Sequence, residues 1–324
     1  MVDRYPQLSQ TYIETELRTL WPRHEVAVFA QRGANTPATD FYPHQVIDAK
    51  DTKGFTNAVR DFQPEVIHTH YLHLAPFVST LSKKAGVPYS IRSHSYDILG
   101  RTPKYLRSFR RLINDDRCLG ILVLPFLRER LIDAGMHEDK LHECFPVVDV
   151  EHFFDRSENT VGVMNVGAAL PKKALRSYID LATRIDEVPV DLYATGYGID
   201  ELHEFNSELG HPVTIVPPVQ FAEMPQVYKS HSWLIYTASK DIGTVGWPMA
   251  VAEAQAAGVG VCIDGIREDL RAYVGGAGYV LENLSDALDI IADPVPPDIR
   301  EAGFDQCRRS DVRQHIATLE NLWD

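Results

Sequence analysis

The sequence predicts an α/β protein made of two domains with parallel sheets, and three observations carry that reading. The chain has 324 residues, which at ~150 residues per domain is enough for two domains that each bury a core. Short β-rich apolar runs alternate with amphipathic helical stretches along its length, the pattern of parallel strands joined by crossover helices. Apolar periodicity lapses from Phe145 to Asn159, where the polar run Asp155-Arg-Ser-Glu-Asn159 reads as a linker.

In the first half the strand candidates are Glu25 to Ala30, Glu65 to His70, Tyr89 to His94 and Leu119 to Leu124. Helices are expected near Thr11 to Leu20, Leu74 to Ala85, Pro103 to Ile113 and Phe126 to Ala134. The second half repeats the alternation, with strands at Val161 to Val166, Val190 to Thr195, Val213 to Val216, Trp233 to Tyr236 and Val259 to Ile263. Between them lie helices near Lys172 to Arg184, Ile199 to Leu209, Met224 to Lys229 and Met249 to Ala257. After the break Asp293-Pro-Val-Pro-Pro297, the residues Ile316, Leu319 and Leu322 follow a terminal helical stripe. The domains are therefore expected at 1–154 and 155–309, with a helix over about 310–324 packing back on the first. Tyr5-Pro-Gln-Leu-Ser9 reads as the loop after a first strand, yet at most four residues precede it, so that strand is expected to be missing.

Composition excludes several function classes. Lys plus Arg is 32 and Asp plus Glu is 45, a net charge of −13 that repels nucleic acid. Cys118, Cys144, Cys262 and Cys307 lack C-x-x-C spacing, which argues against a zinc ribbon, a redox pair or a disulfide framework. No apolar run approaches the ~20 residues of a membrane span, and Met1 to Gln10 is polar, so the expected setting is cytoplasmic. No G-x-S-x-G hydrolase elbow and no Walker A loop is present.

The most informative stretch is Gly243-Thr-Val-Gly-Trp-Pro-Met-Ala-Val-Ala-Glu-Ala-Gln-Ala-Ala-Gly258, a glycine-rich turn followed by an Ala-rich helix. Exposed N–H groups at such a helix start form an anion site suited to a diphosphate. Glu253, on the second turn, is placed to grip paired sugar hydroxyls as an acceptor-only carboxylate. Lys172-Lys173 follows the strand ending at Val166 and the turn from Gly167. Cations at a helix start oppose the macrodipole unless an anion sits between them. Tyr193-Ala-Thr-Gly-Tyr-Gly198 adds a glycine turn on the same sheet edge. His68 and His70 share one strand face and His73 follows, so a three-histidine metal site is geometrically conceivable, but no carboxylate or cysteine is seen to complete it. His94, with Arg92, Tyr96 and Asp97, forms a polar cluster at a strand's carboxyl end. Lys104, Arg107, Arg110 and Arg111 lie on one helical face, with Arg101 before it, suited to anionic headgroups or simply to solvent.

Across nearly the whole chain these elements resemble the GT-B glycosyltransferases, specifically the retaining family 4. Tyr5-Pro-Gln-Leu-Ser-Gln-Thr11 looks like its amino-terminal acceptor loop, Val66-Ile-His-Thr-His70 like its strand entering the cleft, and Ile91-Arg-Ser-His-Ser-Tyr-Asp-Ile98 like its segment with a cleft histidine. Leu127-Arg-Glu-Arg-Leu-Ile-Asp-Ala-Gly135 and Phe145-Pro-Val-Val-Asp149 match the elements before the interdomain crossover. The resemblance implies two Rossmann-like domains facing across a cleft, a nucleotide-sugar donor, retention, and neither metal nor cofactor. It implies catalytic roles for His94, Lys173 and Glu253, and donor binding by Gly167, Lys172, Lys173, Gly196, Thr244, Gly246, Trp247, Pro248 and Glu253. Ser9, Thr11, His70, Arg92, Tyr96 and Asp97 fall on the acceptor side, the acceptor being a glycan, lipid or small molecule.

Three positions depart from the family pattern. Val245 stands eight residues before Glu253, where a glutamate holds donor sugar hydroxyls. Ala168 replaces the arginine that precedes the clamp lysine, and Val147-Val148 replaces Asn-Gly. These departures define the alternative reading, a catalytically degraded homologue acting as a binding or partner subunit.

Overall fold

The computed structural model describes residues 1–5, 10–33, 44–47, 51–186 and 188–324. The chain divides into two compact units, Met1–Val147 with Val312–Asp324, and Val148–Asp311. Val148–Phe154, which the sequence assigns to the first domain, thus lies with the second.

Among its described residues the first unit holds seven strands: β1 (Val2–Tyr5), β2 (Val28–Gly33), β3 (His44–Val46), β4 (Ile67–His70), β5 (Tyr89–Arg92), β6 (Cys118–Val123) and β7 (Leu141–Glu143). They form two all-parallel sheets, ordered β1-β2-β3 and β4-β5-β6-β7. The His70 N–H donates to the Met1 carbonyl at 3.1 Å, beside β1 and β4. The expectation of a missing first strand is corrected, because β1 pairs in parallel with β2 from Val2 opposite Ala30 to Tyr5 opposite Gly33. Only its two ends are buried, and Asp3 and Arg4 between them make the segment read as a polar terminus. The helix Thr11–Leu20 lays Ile13 and Leu17 against β1 and β2. The carboxy-terminal helix Val312–Trp323 buries Val312, Ile316 and Leu319 with Leu20 and Leu122 of this same unit. Each such aliphatic side chain contributes about 1.5–3 kcal/mol on full burial.

Among its described residues the second unit has one six-stranded parallel sheet of β8 (Val163–Ala168), β9 (Val190–Thr195), β10 (Thr214–Val216), β11 (Trp233–Tyr236), β12 (Gly260–Asp264) and β13 (Tyr279–Leu281). Its order is β10-β9-β8-β11-β12-β13. The direction of winding therefore reverses between β8 and β11, and in open sheets of this kind ligands bind outside the carboxyl ends of the strands at such a reversal. The helix Met249–Ala256 is buried on nearly every side. That is why its sequence is Ala-rich rather than striped, since the helix Pro297–Gln306 packs on it so closely that a Cβ on Gly303 would stand 3.5 Å from Gln255.

Sequence periodicity misplaces some elements. The single helix expected over Pro103 to Ile113 is two short ones, Pro103–Arg107 and Arg110–Ile113. At the break the Ser108 hydroxyl donates to the Tyr105 carbonyl at 2.6 Å, the local side-chain competition that interrupts a helical ladder. The lysine pair sits in a 3₁₀ turn, Pro171–Lys173, and the α-helix begins only at Leu175. All four cysteines are buried and unbridged. No helix among the described residues is long and apolar enough to cross a membrane.

Gly260 tests the packing of the second sheet, because a Cβ there would meet the Trp233 ring at 2.4 Å, and Trp233 is 1% exposed on the neighbouring strand. Gly260→Ala should destabilise the protein by about 1–3 kcal/mol through overpacking. The measurement is the urea midpoint followed by tryptophan fluorescence, and an unchanged midpoint would refute the assignment.

Candidate functional site

In the second unit the carboxyl ends of β8 and β11 are tied together through the lysine turn. The Ser239 N–H donates to the Lys172 carbonyl at 2.9 Å, the Thr237 hydroxyl to the Lys173 carbonyl at 2.8 Å, and the Asn165 amide to the Thr237 hydroxyl at 3.1 Å. Ala174, next in the chain, is held at φ 48° in the left-handed region, a conformation that costs a non-glycine residue ~1–2 kcal/mol. Lys173 lies over Gly167, with its Cε 3.9 Å from where a Cβ would stand. Its ammonium donates to the Tyr236 hydroxyl and sits 4.7 Å from the centre of the Tyr236 ring. Burial holds the ammonium down to about 8. Lys172 is shifted the same way, by burial and by its neighbour Lys173. Neither lysine makes an ion pair among the described residues, so a buried cation faces a neutral phenol.

The other strand-to-helix turn closes by backbone contact. Gly196 has φ 121°, and a Cβ on Gly198 would come within 2.9 Å of the Ala169 carbonyl oxygen. The glycine-rich segment is braced from behind. Trp247 stacks on Tyr273 at 4.9 Å with planes 6° apart, and its indole N–H donates to Asp269 at 2.8 Å. Arg267 forks onto the same Asp269 at 2.8 and 3.0 Å and donates to the carbonyl of Val245. Val245 is itself buried. Pro248 caps the helix Met249–Ala256, and its carbonyl accepts from the Tyr273 hydroxyl at 2.7 Å. Glu253 is buried and accepts from the Tyr228 hydroxyl at 2.6 Å. Desolvation raises its pKa to about 7, the phenol offsetting only part of the effect. Gly167, Lys172, Lys173, Gly196, Thr244, Gly246, Trp247, Pro248 and Glu253 all belong to this one unit. Tyr236, Tyr228, Arg267 and Asp269 are contributors that sequence reasoning missed; each stands alone in an otherwise ordinary strand, helix or loop.

In the first unit a polar network fills the carboxyl end of β4 and β5. His70 and His315 donate from Nε2 to the two oxygens of Glu16, at 3.0 and 2.5 Å. Arg92 donates to Nδ1 of His315 at 2.9 Å and to the Phe145 carbonyl at 3.1 Å. His94 Nε2 lies 3.2 Å from His70 Nδ1, and its ring centroid lies 4.8 Å from that of Tyr12 and 4.6 Å from that of Tyr71. Burial pushes His70 and His94 below the ordinary imidazole value, His94 well below, and brings His315 down to about 4. Glu16 lies well below the carboxylate range because His70 and His315 outweigh its desolvation.

Asp97 accepts the backbone N–H groups of Leu72 at 3.0 Å and His94 at 2.9 Å, so its carboxylate clamps two loops together. Tyr96 is 53% exposed, beneath the Arg101 guanidinium at 4.7 Å. Thr11 opens the first helix, and Ser9 lies outside the described residues. The reading that no carboxylate joins the histidine pair is corrected. Ligand atoms of Glu16, His68 and His70 lie within 4.8 Å of one another, whereas His73 turns to Asp97 at 3.4 Å. Glu16 comes from a helix whose sequence gives no sign of a partner 54 positions away. Lys104, Arg107, Arg110 and Arg111 are exposed, and the three arginines line one surface depression with Ser108.

No curated protein matches this chain in sequence. Among solved structures it is similar to Anabaena HepE in complex with UDP and glucose, with TM-score 0.77 and 16% identity over 98% of both chains. It is also similar to a glycosyltransferase from Rickettsia africae, with TM-score 0.74 and 12% identity over 99% of this chain and 97% of that one. Sucrose-phosphate synthase from Thermosynechococcus elongatus superposes with TM-score 0.73 at 14% identity, over 99% of this chain and 94% of that one. Residues 9–152 match the model of Glycosyltransferase Family 4. The chain has the GT-B fold.

Proposed function

We propose that the protein is a retaining, metal-independent glycosyltransferase that moves a sugar from a nucleotide diphosphate donor to a glycan, lipid or small-molecule acceptor. The observation that carries this reading is the Lys173 ammonium, buried at the β8–β11 reversal with no carboxylate beside it among the described residues. An ammonium buried without a counter-charge is costly, and an anionic ligand relieves the cost. As the glycosidic bond breaks, charge develops on the departing diphosphate. Lys173 and the first N–H groups of the helix Met249–Ala256 stabilise that charge more in the transition state than in the ground state. Ala168 leaves the clamp without its guanidinium. Tyr236 offers a neutral hydroxyl there, and Glu253 takes the ribose hydroxyls. His94 serves the transferred sugar in the first unit. The complexes of HepE with UDP and UDP-glucose make uridine diphosphate sugars the first donors to try. The departures at Val245 and Ala168 favour a second reading, a binding subunit that has lost turnover.

The test is a donor panel read by mass spectrometry for released nucleotide, with Lys173→Ala as control. Release by the native protein and at least tenfold weaker UDP binding by the variant support the proposal. Binding without release supports the subunit reading, and no binding of any nucleotide diphosphate sinks the transferase reading and favours the subunit. Because the free ammonium titrates near 8 and a diphosphate favours its charged form, UDP binding should take up protons around pH 8–9 and weaken as pH rises through that window. Calorimetry in buffers of different ionisation enthalpy reads both effects.

Glu253 gives an opposed pair of effects. Its folded pKa of about 7 lies above the unfolded value of 4.5, so the folded state holds the extra proton between those values and stability falls as pH rises through them. At pH 8 the deficit is on the order of 3 kcal/mol. Glu253→Gln should therefore raise Tm at pH 8, not at pH 4, while weakening donor binding. A variant that loses both stability and affinity would make the residue structural.

We also propose that Lys104, Arg107, Arg110 and Arg111 hold the protein against an anionic membrane surface, at about 1 kcal/mol per basic side chain. Sedimentation with liposomes should then rise with their anionic lipid content and fall on charge reversal of the three arginines. Indifference to lipid charge would refute it.

A further inference from the structure

The ring of His94 is engaged inside the first unit. Its side chain accepts the Asp97 backbone N–H in the capping box that opens the helix Ser95–Ile98, and its Nε2 lies 3.2 Å from His70 Nδ1. The groups left over at this end of β4 and β5 belong to its neighbours. The Tyr12 and Tyr71 rings pack on His94, and their hydroxyls meet at 2.5 Å. The Tyr71 oxygen also accepts the Gln10 side-chain amide N–H at 2.7 Å. Burial raises Tyr12 well above the ordinary phenol value and Tyr71 in the same direction, so both stay protonated. Two phenols carry two hydrogens, and the contact between them uses one. Whichever phenol donates, the hydrogen of the other has no acceptor among the described residues. The Oε1 of Gln10 is buried and has no donor among them either. Backbone strain marks the same spot, because Tyr71 follows β4 with φ 75° and ψ 126°. Gln63 and Ala174 also have positive φ, but their ψ of 53° and 39° keeps them in the small left-handed well open to residues with a Cβ. Tyr71 lies outside that well. Its N–H donates to the Arg92 carbonyl at 2.8 Å and its carbonyl accepts the Leu74 N–H at 3.2 Å, so the conformation is pinned from both sides, as strain is at sites that hold a ligand.

We propose that Tyr12, Tyr71 and Gln10 form a slot for one sugar hydroxyl, whose oxygen accepts the unused phenol hydrogen and whose hydrogen is donated to Gln10 Oε1. A hydroxyl both donates and accepts, and the slot holds one unpaired group of each kind. Leaving a buried acceptor unpaired is costly, and a bound alcohol satisfies both groups at once. A carboxylate has no hydrogen for Gln10 Oε1, and an ammonium has no lone pair for the phenol. The ligand class is therefore an uncharged polyol. The proposal rests on the sugar-handling part given above to the first unit, and it moves the hydrogen bond from His94 to the phenols packed on it.

The test is titration of the full-length protein, free and with UDP bound, with methyl α-D-glucopyranoside, its epimers and its deoxy analogues, read from the tyrosine ring signals by ¹H–¹³C NMR. Calorimetry with UDP and UDP-glucose runs beside it. The native protein should bind at least one sugar, with shifts at Tyr12 and Tyr71. Either Tyr12→Phe or Tyr71→Phe alone leaves one phenol hydrogen in the slot and should keep most of the affinity. The double variant has none and should bind about five- to tenfold more weakly, the worth of one neutral hydrogen bond. Gln10→Leu, which removes the acceptor, should cost a similar factor. The deoxy analogue that lacks the bound hydroxyl should bind the native protein weakly and lose nothing further in the double variant. Loss of UDP-glucose affinity with UDP affinity unchanged assigns the hydroxyl to the donor sugar, and loss confined to the free glycosides assigns it to the acceptor. The proposal is overturned if no sugar shifts the two rings and the double variant binds UDP-glucose as the native protein does. It is overturned equally if every deoxy analogue loses as much affinity in the double variant as its parent. None of these readouts needs turnover, so a chain that binds sugars without transferring them still passes, and a transferase whose phenols touch no hydroxyl still fails.

Discussion

Lys173 is the fixed point of the carboxy-terminal unit: a cation held out of water against a phenol. Everything around it follows from keeping it there. The sheet order places β8 and β11 side by side with reversed winding. The lysine turn can therefore span their carboxyl ends and be bonded to β11 through Ser239 and Thr237. The left-handed backbone at Ala174 is strain accepted in the same place, since the helix that follows must restart after the turn. Strain of this kind persists only where surrounding contacts over-determine it. Three side-chain and backbone bonds to one turn meet that condition.

The glycine-rich segment shows the complementary solution. With Val245 in place of a glutamate, no acidic side chain reaches forward from that position, and the backbone is instead gripped from behind by Arg267, Asp269 and the Trp247–Tyr273 stack. A loop fixed this way presents its backbone groups at a constant geometry, the condition under which fixed dipoles stabilise charge without reorganising. The side chain at that position gives up its charge, while the backbone of the segment keeps its scaffold.

Much of this was legible in the sequence, and the remainder was hidden for identifiable reasons. β9 and β11 fall where the apolar runs place them, because each is a run of four to six residues in the middle of a sheet. β1, β3 and β7 escape because polar residues fill most of each, Asp3-Arg4, His44-Gln45 and His142-Glu143, so no apolar run registers. The helix Thr52–Phe62 buries only Phe55 and Val59, so its apolar stripe is two residues wide. Lys173 and Glu253 could be found because a glycine turn and a helix start mark their neighbourhood. Glu16 and Tyr236 could not, since what distinguishes them is a partner more than fifty positions away. Such pairings leave no local signature.

The choice of a phenol beside Lys173, where a carboxylate would satisfy the ammonium better, is itself informative. At 4 Å and an effective dielectric constant near 20, a unit charge pair interacts by about 4 kcal/mol. A carboxylate would thus hold the ammonium firmly and repel an incoming diphosphate by a comparable amount, cancelling the site's attraction. A hydroxyl satisfies one N–H, leaves the full positive charge in the field, and keeps its own proton to donate. The first unit makes the opposite choice for the same reason. The buried Glu16 carboxylate accepts from His70 and His315 and is linked through His315 to Arg92, so its charge is closed off inside. One unit keeps its buried charge without a counter-charge, and the other closes its charge with hydrogen bonds.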